Sequence, residues 1–263
     1  MSIFIHNSNI QNKVNTNYKG KRAELSKFHY EVYCAIHKYL LGLNFDETDA
    51  FDLLSKAINK YLKDIDEFSN RNNITSQSKF RSTFLEELSE YLFKDLEPIV
   101  NGKLGFFNKN VYAGLKIGAD MKVSVIHKDV DFCIGRKVKL FIDDTEEEII
   151  MPIVAVEVKT YLDATMFGEV QFSARLIKNA VPNVKTYVIM EFCDVAKEKI
   201  IAARHDNTID EMFSLRCKGE DKKYSFSAKV LKDYYDEVKN AVMNLNSETV
   251  NDIGRLLNRK VKM

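Results

Sequence analysis

The sequence predicts an α/β (α+β) protein, with a central mixed β-sheet flanked by helices and a helical N-terminal region in front of it. Three observations carry that reading. Apolar residues recur at helical spacing through the first third of the chain. Short β-branched runs, introduced by glycine and asparagine, replace them after Gly102, and helical spacing returns near the end. Helices, a strand hairpin, a helix, a strand and helices again suit a mixed sheet covered by helices.

From 23 to 41, Phe28, Val32, Ile36 and Leu40 recur every fourth position, the stripe of an amphipathic helix. A second helix follows to about residue 68, with Asp46 and Asp49 at its cap and Leu53, Leu54, Ala57, Ile58, Tyr61 and Leu62 continuing the stripe. The polar stretch 69–79 has no apolar period and is predicted as a loop, and a third helix runs from 80 to 93. Strands are predicted at 122–127, 131–141 and 148–159, the last two forming a hairpin across Asp143-Asp144-Thr145. A helix over 163–179 is stopped by Pro182-Asn183, and VKTYVIMEF (184–192) suits a buried strand. From residue 226 onward helical spacing appears twice, with Ser247 as the cap of the last helix. The chain divides on this reading into a helical N-terminal region (1–79), a core (80–200) and a C-terminal helical region packed on it (201–263).

With 263 residues, 45% of them hydrophobic and 11% aromatic, the chain can bury a sizeable core. Its net charge of +1 gives no overall basic bias, so any contact with nucleic acid must come from a local patch. Cysteines 34, 133, 193 and 217 form no C-x-x-C pair and read as buried, reduced thiols. The five histidines form no H-E-x-x-H, and ten glycines include no G-x-x-x-x-G-K-[ST], so zinc-protease and P-loop chemistries lack support. The longest apolar run, 149–156, falls far short of the roughly 20 residues that span a bilayer, and a cytoplasmic location is expected.

The chemistry points to KDVDFCIG (128–135) and MPIVAVEVKTYLDATM (151–166). Alternate residues of a strand share a face, so Glu157 and Lys159 emerge together while Val158 turns into the buried side. If the hairpin places Asp131 on the neighbouring strand, two carboxylates converge within reach of one hard divalent cation. The Val158 carbonyl is a further oxygen donor, and the set is that of a magnesium site. Phosphodiester hydrolysis needs an activated water, a polarised phosphoryl oxygen and positive charge where negative charge accumulates. Asp131 and Glu157 are assigned to the metal and Lys159 to the water or the phosphate, acting as base if burial depresses its pKa.

The chain contains its own control, because the triplet EVK recurs at 237–239 in a helical setting. There, residues two apart point roughly 200° apart and cannot share a site. The first copy differs in its context: an apolar strand before it, an earlier aspartate opening another apolar run, and a helix after it. The bland alternative is an ordinary salt bridge at the solvated end of a strand. Asp129 competes with Asp131, since the two share a face.

On these residues, Asp131 before FCI and Glu157-Val158-Lys159 at the end of an apolar strand, the region of about 80–192 resembles the core of the PD-(D/E)xK nucleases. Val130 stands where the motif has proline. The resemblance implies a restriction-endonuclease-like fold, a nuclease core at 80–200, and Mg²⁺-dependent hydrolysis of DNA. Members of that family often add a glutamate from the helix before the sheet; Glu87, at the edge of the apolar face set by Phe80, Phe84, Leu88 and Tyr91, is taken over Glu86 on the far side. The long helical front and EVKTYLDATMFGEVQFSARLIK look similar to type II restriction endonucleases, in particular the group containing the heterodimeric BbvCI. That likeness implies double-stranded DNA as substrate and a homodimer or a heterodimer with a related subunit, each subunit cutting one strand. Loops 102–116 and 69–79 carry donors suited to phosphates and base edges. The rival readings are a metal-dependent repair nuclease and an inactive DNA-binding protein of the same fold, which has no reason to keep both acids and the lysine.

Overall fold

The computed structural model describes residues 3–75, 78–142, 145–218 and 224–244. It opens with a helix the hydropathy pattern does not announce, α1 (Ile5–Asn15), which buries only His6, Ile10 and Lys13. The first predicted helix forms as α2 (Arg22–Phe28) and α3 (Cys34–Leu41), joined through a π-helical turn at His29–Tyr33. Next, α4 (Ala50–Arg71) buries Leu54, Ile58, Tyr61, Leu62 and Ile65 along one face, as the stripe requires. It runs three residues further than the polar loop suggested, and Asp49 sits at its cap without a side-chain hydrogen bond. Helix α5 (Ser82–Phe93) is buried almost all round, and the short α6 (Glu97–Val100) leads into the sheet.

Strands β1 (Gly105–Phe107), β2 (Val111–Ile117) and β3 (Val123–Lys128) precede the long hairpin of β4 (Phe132–Ile142) and β5 (Thr145–Leu162). Helix α7 (Ala164–Ala180), strand β6 (Lys185–Cys193), α8 (Lys197–His205) and β7 (Glu211–Ser214) follow. The small antiparallel pair β8 (Arg216–Lys218) and β9 (Tyr224–Phe226) leads to α9 (Ala228–Met243). The order across the main sheet is β1-β4-β5-β2-β3, with β6 on β5 and β7 on β6. Antiparallel β4–β5 and parallel β5–β6 make it a mixed sheet built around β5.

The two faces of that sheet bury different partners. Phe132, Ile134, Val154, Val156, Val158 and Ile189 join one large core with Leu54 of α4, Phe84 and Leu88 of α5 and Tyr234 of α9. On the opposite face, Cys133 and Ala155 meet Ile177 of α7, while Val188 and Met190 meet Phe167, Val170 and Ala174. Each fully buried Leu, Ile or Phe contributes on the order of 2 kcal/mol, so both layers hold the hairpin in place. The start of α5 is further tied to the sheet by charge. Arg81 donates from Nε and Nη2 to the buried Glu191 carboxylate at 2.7 Å each, and Arg216 Nε donates to the same carboxylate at 2.7 Å.

Several expectations need correcting. Strands β1 and β2 form within the stretch read as a loop. The boundary at 200 falls inside α8, and β7 extends the main sheet beyond it, so the C-terminal part is not purely helical. Residues of the N-terminal helices and of α9 share one core with the sheet. Of the four free cysteines only Cys133 is buried; Cys34 is half-buried, and Cys193 and Cys217 are exposed. The hairpin turn at Asp143-Asp144, Ser247 and the last predicted helix lie outside the described residues. Among the described residues no helix is long and apolar enough to cross a membrane.

Candidate active site

The hairpin register builds the site. Phe132 pairs with Val156 and Cys133 with Ala155, so Asp131, one step beyond the last pair, arrives beside Glu157. Period-two alternation then keeps Ala155, Glu157 and Lys159 on the α7 face while Val156 and Val158 enter the large core. The Val158 N–H donates to Asp131 Oδ2 at 2.8 Å, which fixes the aspartate against the strand. Lys159 Nζ donates to that same oxygen at 3.1 Å and to Glu157 Oε2 at 3.0 Å. The three side chains are 17–29% exposed, open enough to meet a ligand yet partly shielded from water. Asp129 serves elsewhere: its Oδ1 accepts from the Asn110 N–H at 3.1 Å, although it borders the same cavity.

Burial pushes the Glu157 carboxyl above the ordinary range, the Asp131 charge adds to the rise, and Lys159 offsets part of it. For Lys159, burial alone would favour the neutral amine, but the charges of Asp131 and Glu157 outweigh it and raise its pKa. The condition set for Lys159 as a base, a pKa depressed by burial, is not met beside these two acids. The amine is held as a cation, suited to orienting an anion or a water rather than to taking a proton.

These groups lie in an open cavity of about 910 Å³. Helix α7 forms one wall through Thr165, Gly168 and Phe172, and α5 contributes Thr83 and Glu86. The wall is fixed because α7 follows β5 directly: Asp163 Oδ1 accepts from the Thr165 and Met166 N–H groups at 2.8 and 2.9 Å, closing the first turn.

Glu87 does not reach this cavity. It is 1% exposed, and its Oε2 accepts from the N–H groups of His6 and Asn7 at 2.8 and 3.1 Å. Its Oε1 accepts from the Tyr33 and Tyr91 hydroxyls at 2.9 and 2.5 Å. Glu90, also buried, takes the Ile3 and Phe4 N–H groups, so two carboxylates satisfy the free donors at the start of α1 and meet its positive end. The acid that faces the cavity is Glu86, whose pKa is pushed up to about 7 by burial and then by the Asp131 charge. The helical wheel placed Phe84 and Leu88 correctly. It failed at Glu86 because the side of α5 away from the large core opens onto the cavity rather than onto bulk solvent.

Four lysines and five carboxylates line the cavity, so it is slightly anionic by itself. Asp131 Oδ2 and Glu157 Oε2 each lie about 3 Å from one nitrogen and are at most about 6 Å apart. Hard oxygen donors of this kind fit a divalent cation such as Mg²⁺ in type. Among the described residues, no three His, Cys, Asp or Glu side chains form a ready-made metal cluster; the ammonium of Lys159 sits between the two acids instead.

The fold is that of the restriction endonucleases: a chain of the native BbvCI A2B2 tetramer superposes with a TM-score of 0.73 at 20% identity, over 92% of this chain and 97% of that one. No curated protein sequence matches the chain. The profile of the Bpu10I restriction endonuclease family matches residues 77–240, more than half of the sequence and all of the strands that build the site. The chain belongs to the Bpu10I restriction endonuclease family.

Proposed function

We propose that this protein is a type II restriction endonuclease that hydrolyses phosphodiester bonds of double-stranded DNA with Mg²⁺, one strand per active site. The observation that carries the reading is the meeting of Asp131, Glu157 and Lys159 on one sheet face at the floor of a cavity. Asp131 and Glu157, with the Val158 carbonyl, are the groups that would hold the ion, and Glu86 adds a third carboxylate from α5. When bound, Mg²⁺ supplies a Lewis acid for the phosphoryl oxygen and lowers the pKa of water.

The chain's own residues do the rest. Lys159, held protonated, faces the negative charge that grows on the phosphate as the new bond forms. Asp131 is oriented by the Val158 N–H, so its second oxygen is left for the ion. Glu157 and Glu86 must both be ionised to bind a cation; Glu86, pushed up to about 7, makes that step sensitive to pH near neutrality, and the rise at Glu157 acts in the same direction. Cutting both strands requires two such sites, which favours assembly with a like or related subunit; the BbvCI tetramer, written A2B2, is an assembly of two chain types.

The test incubates the protein with plasmid and phage DNA, with and without Mg²⁺, beside Glu157→Ala and Lys159→Ala. Discrete fragments support the proposal and nicked circles support a chain that cuts one strand. Smears point to a nonspecific nuclease, and variants that cut as well as the parent overturn the site assignment.

A further inference from the structure

Helix α7 carries two features that its role in folding does not account for. Its core-facing residues are Phe167, Val170, Ala174 and Ile177. Phe172 lies off that face and is 68% exposed, yet it lines the cavity that holds Asp131 and Glu157. Single exposed apolar side chains are ordinary on a protein surface, but among the large exposed ones of the described residues Phe172 is the one that borders this cavity. One turn earlier, Gly168 lies in the second turn of the helix and lines the same cavity. Glycine is the poorest helix former after proline, and here nothing demands it: its φ is not in the left-handed region, and a Cβ built on it meets no atom within 4 Å.

Positions i and i+4 share a helix face, so the bare turn at Gly168 and the ring of Phe172 are adjacent. Together they make a slot floored by backbone and closed by an aromatic ring. A ligand that fills it explains both residues at once. Lys79, Lys109 and Lys128 border the same cavity and give a polyanion local cationic partners, while the five carboxylates that leave the cavity slightly anionic, Glu169 on the α7 wall among them, oppose it.

We propose that this side of α7 is a DNA-reading wall: Phe172 makes an apolar contact with a base of duplex DNA beside the scissile phosphate, and Gly168 leaves the room for the strand to approach. The inference rests on the nuclease reading above and adds a contact that lies outside its catalytic set. Aromatic and apolar side chains do this elsewhere at groove edges or by partial insertion at an opened step.

The sequence provides a clean probe, since the chain contains no tryptophan. Phe172→Trp introduces one, and its emission is titrated with fragmented phage DNA in the absence of Mg²⁺. The expected result is quenching that saturates with DNA, whereas Tyr30→Trp, at a 79% exposed position on the helical N-terminal part, is not quenched. Phe172→Ala is expected to weaken DNA binding about 10- to 100-fold with an unchanged melting temperature. Gly168→Leu is expected to bind at least about 10-fold more weakly while melting no lower than the parent, because leucine is the better helix former.

Unquenched emission at position 172, equal quenching at position 30, or parent-like binding by Phe172→Ala overturns the proposal. If the parent cuts phage DNA and these variants match it, only this inference falls. If the parent neither binds nor cuts any DNA, the nuclease reading falls with it.

Discussion

Lys159 and Asp131 are 28 positions apart in sequence, yet the Lys159 ammonium lies 3.1 Å from the same Asp131 oxygen that the Val158 N–H holds at 2.8 Å. One oxygen thus reads both the backbone and the side chain of the strand opposite. Replacing Asp131 with Asn keeps the shape and removes the charge. The predicted outcome is a fall in DNA cleavage of at least about 100-fold, with the melting temperature changed little, measured by plasmid cleavage and thermal unfolding. Retained cleavage would remove Asp131 from the site.

Glu86 gives a prediction with a worked sign. Its carboxyl is pushed up to about 7 in the folded protein against an ordinary 4.5, so the folded state holds the proton more tightly. Stability therefore falls as pH rises from about 4.5 to about 7 and is level above that, by an amount of up to about 3 kcal/mol. Glu157, also raised, acts in the same direction. Glu86→Gln should flatten this slope and melt higher than the parent above about pH 7, while cutting more slowly. Equal slopes in the two proteins would show that Glu86 is not strained in the fold.

Glu87 should behave differently from its neighbour. Its removal strands the His6 and Asn7 N–H groups and two tyrosine hydroxyls in a buried place. Glu87→Ala is predicted to lower stability by at least about 3 kcal/mol, read from urea unfolding. A change below about 1 kcal/mol would contradict the anchoring role.

Gly135 tests the hairpin. The β4–β5 register shifts between Ile134 and Gly135, and a Cβ on Gly135 would come within 2.5 Å of the Met151 carbonyl oxygen. Gly135→Ala is predicted to cost about 2 kcal/mol and to slow cleavage by displacing Asp131 from Glu157. An alanine variant as stable and active as the parent would show that the bulge has slack.

Much of this site could be read from the sequence because its geometry is local. The i, i+2 relation of Glu157 and Lys159, the apolar strand before them and the helix after them need no knowledge of distant chain. The hairpin that brings in Asp131 needed only two adjacent strands and a turn. Strand β2 escaped because only Val111 and Ala113 are buried along it, and Gly114, at a φ of 132°, interrupts the pairing with β3. Glu86 and Glu87 were exchanged for a longer-range reason. What claims Glu87 is the start of α1, about 80 positions away, and nothing in α1's weakly apolar sequence marks it as a helix that must be capped.

That exchange bears on how inactivating substitutions in α5 are interpreted. On the proposed function, consecutive glutamates divide between reaction and architecture, so a screen that scores only lost DNA cutting would assign both to chemistry. The two separate only when surviving protein is counted beside surviving activity: one variant accumulates as intact but idle protein, and the other is depleted by the cell's own proteases.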